Sequence, residues 1–144
     1  MPVLDLNNPQ DAHADERLRA DWIVWLCTVR PDGRPHAVPV WFVWDGQSAL
    51  IFSQPEKQKV RNLRQNPNVT LALDDTKRGD DAVIVEGTAE LLASADDPAL
   101  ASQRAAYLKK YAEGIRDIGL TPETMLASYS QPIRITPARI RTVS

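Results

Sequence analysis

Residues 22–52 read WIVWLCTVRPDGRPHAVPVWFVWDGQSALIF. Three apolar runs are separated here by two short breaks, Pro31-Asp32-Gly33 and Asp45-Gly46. Proline presets the backbone for a turn, and glycine accepts the left-handed conformation that closes a hairpin. Trp, Ile, Val and Thr dominate the runs and suit strands. The stretch therefore predicts an antiparallel meander: strands at 22–30, 36–44 and 49–52. Pro39 cannot donate a ladder hydrogen bond, so it marks an edge or a bulge in the second strand.

Toward the C-terminus, Ser53-Gln54-Pro55-Glu56 reads as a helix start, with Ser53 capping and Glu56 completing a capping box. The predicted helix runs to about Asn66, where Pro67 ends it. Alternation of Val69, Leu71 and Leu73 with polar or small residues gives a strand at 69–74. A charged loop at 74–81 leads to a long strand at 82–92, in which Gly87 reads as a bulge or a point of close approach. Asp96-Asp97-Pro98 opens a helix carrying Leu100, Arg104, Tyr107, Leu108 and Tyr111 at helical spacing, and Gly114 is expected to close it. Thr121-Pro122-Glu123 starts a short helix to about Ser128. A last strand follows at 133–143, interrupted by Pro137. Toward the N-terminus, residues 1–8 read as a loose leader and 11–20 as a polar surface helix started by Asn8.

This is not the alternating βαβ order of a doubly wound sheet. It predicts a mainly β fold, an antiparallel split barrel with flanking helices, in one domain. Within 1–144 the expected parts are a leader and helix (1–20), a barrel core with its basic helix (21–92), helices (93–129) and a final strand (130–144).

With 144 residues and a formal net charge of −2, the chain lacks the basic surface expected of a nucleic-acid module. Cys27 is the one cysteine, so no internal disulfide is possible, and its apolar surroundings read as core. Neither a secretory signal nor an apolar run of roughly 20 residues is present, and a cytoplasmic protein without a membrane span is expected. Cys27, His13 and His36 are too few and too scattered for a structural zinc site, so no metal is expected. Nor is there a phosphate-binding glycine loop, a nucleophile elbow or a zincin motif. No catalytic side chain can be named. Chemistry carried by a bound cofactor would need none.

The basic helix is the most informative segment. Lys57, Arg61 and Arg64 share one side by their spacing, while Val60 and Leu63 form a docking stripe flanked by Lys59 and Asn62. Lysines at a helix N-terminus oppose the dipole, and a bound phosphate would relieve that cost. Lys57 and Lys59 are thus phosphate candidates, against the alternative of a solvated face. Arg61 and Arg64 are expected in solvent or with Asp74 and Asp75. Around Pro39, the residues Trp41, Phe42 and Trp44 offer flat apolar surface for a ring system, against the alternative of plain core packing. Trp22 and Trp25 read as core or interface residues, and His36 as a surface histidine.

Val29-Arg30-Pro31-Asp32-Gly33-Arg34-Pro35, then Val38-Pro39-Val40-Trp41-Phe42, then Phe52-Ser53 with Lys57, Lys59, Asn62, Leu63 and Asn66-Pro67 together resemble the pyridoxamine-phosphate-oxidase-like split-barrel superfamily. More narrowly, the chain is similar to its flavin/deazaflavin oxidoreductases, described as coenzyme F420-dependent. The resemblance spans 21–92 and implies a homodimer with a cofactor in each of two interfacial grooves. It places Pro39, Val40 and Trp41 along the ring system and Ser53, Lys57 and Lys59 at the phosphate, with Lys59 the firmest match and Asn62 a weaker one. Pyridoxamine-phosphate oxidases themselves carry an arginine early in the second strand, where this chain has Val38, so a vitamin B6 oxidase is not expected. The activity implied is hydride transfer between F420 and a small conjugated or quinone-like substrate. The alternatives are an FMN enzyme of the same fold and a non-catalytic flavin or tetrapyrrole carrier.

Overall fold

The computed structural model of the chain describes residues 3–74 and 76–143. Its elements are α1 (Pro9–Ala20), β1 (Val24–Val29), β2 (Pro35–Val40), β3 (Val43–Trp44), β4 (Ala49–Ser53), α2 (Gln58–Gln65), β5 (Asn68–Leu73), β6 (Ala82–Leu91), a 3-10 turn (Pro98–Leu100), α3 (Ala101–Lys110), α4 (Ala112–Asp117), α5 (Pro122–Ser128) and β7 (Gln131–Val143). The strands form one sheet in the order β2-β1-β5-β6-β7-β4-β3, with every pairing antiparallel. The two ends of that order, β2 and β3, are joined by only Trp41 and Phe42. The sheet must therefore curl until its edges nearly meet, which makes a barrel split at residues 41–42.

Pattern explains which faces are covered. In β1, Val24 and Leu26 point inward and are fully buried, while Trp25 on the other face is 48% exposed. All five residues of β4 are buried because both faces are covered. Ala49 and Ile51 join the barrel core with Leu18 of α1 and Val60 and Leu63 of α2. Leu50 and Phe52 face a second core with Leu100, Tyr107, Tyr111, Ile115 and Met125 from the helical segment.

Several expectations hold. Pro39 lies on the edge strand β2, opposite Trp25. Gly87 sits at a register shift in which Glu86 pairs with Arg139 and Gly87 with Pro137. A β-carbon there would lie 2.3 Å from the Thr136 carbonyl oxygen, so only glycine fits. Asn8 caps α1 through the amides of Gln10 and Asp11, and Thr121 and Thr124 form a capping box on α5.

Other expectations are corrected. The strand read at 36–44 breaks at 41–42, where the barrel splits. Ser53 ends β4 and does not cap a helix; α2 begins at Gln58, its N-cap is Lys57 with no side-chain cap bond, and residues 54–57 form the turn before it. Gly114 lies inside α4, with the turn that follows carried by Gly119 at φ +82°. The leader is not loose throughout, since Leu4 is buried in the barrel core; Met1 and Pro2 lie outside the described residues. α1 is more than a surface helix: Ala14 and Leu18 are buried, and Arg17 is ion-paired with Asp21 and Asp81. Arg61 and Arg64 are exposed, as one of their two expected alternatives has it; Arg61 donates to the Glu56 carbonyl and to Gln58, Arg64 pairs loosely with Glu56 at 4.0 Å, and only the alternative with Asp74 fails. Asp75 lies outside the described residues. Trp22 and Trp25 are 44% and 48% exposed and are not core.

Candidate functional site

The split at Trp41-Phe42 leaves backbone groups that no strand pairs, and the helical segment supplies their partners. The Tyr111 hydroxyl accepts from the Phe42 amide at 2.9 Å and donates to the Trp22 carbonyl at 2.6 Å. The Lys110 ammonium donates to the Phe42 carbonyl at 3.0 Å and lies 4.2 Å from the Phe42 ring centroid. One turn at the end of α3 thus bolts the β2–β3 corner to the start of β1. Burial pushes the Tyr111 phenol up, partly offset by its bond to Phe42, and pushes Lys110 down to about 8, partly offset by Asp21.

This bolt fixes Trp41. Its indole stacks on the Tyr111 ring, centroids 4.5 Å apart and planes 1° from parallel, with Trp22 edge-on to both. Gly114 gives the indole its room, since a β-carbon there would lie 2.9 Å from Trp41 Cη2.

Beside Trp41 opens a cavity of about 370 Å³. Pro39, Val40 and Trp41 form a wall from the strand corner; Phe52, Ser53 and Lys59 come from β4 and the start of α2; Ile23, Tyr107, Ile118, Met125 and Tyr129 complete it. Five of the seven sequence-predicted residues, Pro39, Val40, Trp41, Ser53 and Lys59, therefore meet in one cavity. Ser53 is 1% exposed and its hydroxyl donates to the Gln54 carbonyl at 2.8 Å, which leaves the oxygen free to accept. Lys59 is half-buried. Burial first, and the charge of Lys57 second, push its ammonium down, so the free protein holds this cation at a cost that an anion would relieve.

Two predicted residues lie elsewhere. Lys57 lines a neighbouring cavity with Gln54, Pro55, Glu56 and Ser128. Asn62 is fully buried, with its amide donating to Thr28 Oγ1 at 2.9 Å and its oxygen accepting from Gln58 at 2.7 Å. Its hydrogen bonds join α2 to β1 and do not reach the cavity. His36 is part-buried, and its Nδ1 is covered without a partner. Burial, then Arg30 and Lys59, push its ionisation down, so the ring stays neutral beside those cations.

A larger cavity, about 550 Å³, opens between Leu4–Leu6, α1 and the turn at 45–47. Its polar groups are already engaged: Asp15 takes Arg19 and the Trp44 indole N–H. The Trp41 cavity is the better ligand site because it joins an apolar wall to under-used polar groups. Sequence reasoning missed the contribution of the helical segment. The available signal was Tyr107 and Tyr111 four residues apart on one helix face, which alone is indistinguishable from core packing.

A flavin-type cofactor fits these residues. A flat wall, a half-buried cation and a serine oxygen match a planar ring carrying a phosphate. The Tyr107 side chain is 1% exposed, and its hydroxyl has no partner among the described residues.

Comparison with known proteins agrees with this fold. The chain is similar to a conserved hypothetical protein of Mycobacterium tuberculosis, at 25% identity over 92% of this chain and 83% of that one, with a TM-score of 0.74. It is similar to an F420 reductase at 29% identity, over 88% and 94% of the two chains, with a TM-score of 0.67. It also shares the fold of HutZ, a heme storage protein of Vibrio cholerae, at 16% identity over 91% and 90%, with a TM-score of 0.69. No curated protein matches the sequence. The family described as pyridoxamine 5'-phosphate oxidase matches residues 10–144, from the first helix through the last strand, and the chain belongs to that family.

Proposed function

We propose that the chain is an oxidoreductase that binds the deazaflavin coenzyme F420 and acts on a small conjugated or quinone-like substrate. The observation that carries this reading is the convergence of Pro39, Val40, Trp41, Ser53 and Lys59 on one cavity. When bound, the coenzyme supplies hydride transfer. The chain's residues hold and orient: Pro39 and Trp41 wall the ring, while Lys59 and Ser53 receive the phosphate. Lys57, in the adjoining cavity, extends the positive charge along a longer acidic tail. Trp41 cannot swing away without losing its stack on Tyr111, so the slot is preorganised and little ordering cost falls on binding. No metal is assigned a role. A homodimer closes the groove in this reading, and the protein works in the cytoplasm. Among the described residues no helix is long and apolar enough to cross a membrane.

FMN in the same cavity is the second reading, and one observation favours it. Arg61 is occupied by Glu56 and Gln58, so the cationic path beyond Lys59 is reduced to Lys57. A short phosphate needs only Lys59 and Ser53.

Parallel fluorescence titrations with F420 and FMN separate the two, and Lys59→Ala tests the site. Loss of the charge-assisted contact is expected to weaken binding by about 1–3 kcal/mol. Unchanged affinity in Lys59→Ala removes the phosphate role. Binding without turnover of any quinone would make the chain a carrier.

A further inference from the structure

Tyr107 is an odd choice for a core position. The residue is 1% exposed, with its ring edge-on to Phe52 at 4.8 Å and tilted against Tyr111 at 5.0 Å. Phenylalanine would fill that space equally well. A buried phenol normally finds a hydrogen-bond partner, yet the Tyr107 hydroxyl has none among the described residues. Among the described residues, the one fully covered side-chain polar atom without a partner is Nδ1 of His36. The Tyr107 hydroxyl is therefore not fully covered, and the residue's small exposure lies at that tip. Tyr107 lines the Trp41 cavity, so the tip faces the cavity.

We infer that the Tyr107 hydroxyl is a hydrogen-bond donor to a carbonyl oxygen on a conjugated ring held in this cavity. The inference rests on the flavin reading. Its surroundings set the ligand chemistry. Its ring packs against the rings of Phe52 at 4.8 Å and Tyr111 at 5.0 Å, and the groups that bear on its ionisation besides burial are two other phenols, Tyr111 and Tyr129. A phosphate belongs with Lys59. A neutral donor among aromatic rings suits a carbonyl oxygen, which gains partial negative charge without carrying a full one. Burial, with those two phenols adding to it, pushes the Tyr107 ionisation far up, so the proton stays in place as a donor throughout the physiological range.

That oxygen has two sources, a carbonyl of the coenzyme ring or the carbonyl of the substrate. Tyr107→Phe distinguishes them, because it removes a hydroxyl with no partner among the described residues and leaves the ring packing intact. Its thermal midpoint should equal or exceed that of the wild type. Titration with FMN and with F420, followed by menadione added to the complex, reads both sources. A dissociation constant about 5- to 30-fold weaker for the coenzyme places the oxygen on its ring. An unchanged coenzyme constant with menadione weakened by a similar factor places it on the substrate. Equal binding of coenzyme and menadione by both proteins overturns the inference and leaves the flavin reading standing. A marked fall in the midpoint also overturns it, since the hydroxyl would then serve the fold. If the wild type binds neither FMN nor F420, the flavin reading fails and the inference fails with it.

Discussion

At the scale of single residues, Lys59 and Asn62 show where pattern stops being informative. Both flank the docking stripe of α2, three residues apart, and both read as candidates for the ligand. Lys59 borders the cavity. Asn62 turns inward to Thr28, which is 34 positions away in sequence, and both ends of its amide are used. Helical spacing locates a residue on a face, but a buried polar partner on another element cannot be read from it. Asn62→Ala should therefore act on stability first. It strips a donor from the buried Thr28 hydroxyl and an acceptor from Gln58, and about 1–3 kcal/mol of folding free energy should be lost in urea titrations. Coenzyme affinity of the folded fraction should persist. Lost affinity with stability intact would return Asn62 to the ligand site.

Among the elements, the strands were legible and the helical segment was legible only as helices. Alternation and turn chemistry predict β1, β4, β5, β6 and β7 near their observed bounds, and β2 at its start only, because each strand has a face committed to the barrel core. The break at 41–42 was not legible, since Trp41 and Phe42 continue an apolar run and only the curl of the sheet forces it. The same blindness hid the bolt. Tyr111, Lys110 and Gly114 serve a corner some 70 positions earlier in sequence. Gly114 was expected to end a helix, whereas it makes room for Trp41. Gly114→Ala should overpack that contact and cost about 1–3 kcal/mol in thermal or urea unfolding. The displaced indole should also weaken coenzyme binding. Adding Trp41→Phe should recover stability if crowding is the cause. A stable Gly114→Ala with unaltered tryptophan fluorescence would mean the helix simply shifts. Lys110 adds a pH signature. Its folded-state ionisation is lowered to about 8 from an ordinary 10.5, so between those values the unfolded chain holds more protons. Stability from this group should then rise with pH across that window and stay level below it. Lys110→Met should remove that rise, and urea midpoints for both proteins from pH 7 to 10.5 would show it. Parallel curves would mean Lys110 titrates normally.

At the scale of the whole molecule, the question is what covers the outside of β1 and β2. Trp22, Ile23 and Trp25 are 44%, 42% and 48% exposed, and Ile118, which lines the cavity with Ile23, is 52% exposed. Pro39 and Ala72 flank Trp25 on the neighbouring strands. Scattered exposed apolar residues are ordinary, but Trp22, Ile23 and Trp25 follow one another into the start of β1, and Ile23 and Ile118 both line the cavity, so they make a patch that water covers poorly. A second copy of the chain is the proposed cover. A two-fold dimer presents the same patch from both sides, so one substitution changes the interface twice. Trp25→Glu would bring two carboxylates into that apolar contact. Light scattering at micromolar concentration should find the wild type dimeric and Trp25→Glu monomeric, with circular dichroism unchanged. Coenzyme affinity should fall with the dimer, because Ile23 lines the cavity and stands two residues from Trp25. A Trp25→Glu monomer that binds coenzyme as tightly as the wild type would mean that one chain makes the whole site. A monomeric wild type would leave the patch without its proposed cover and place the complete groove within a single chain.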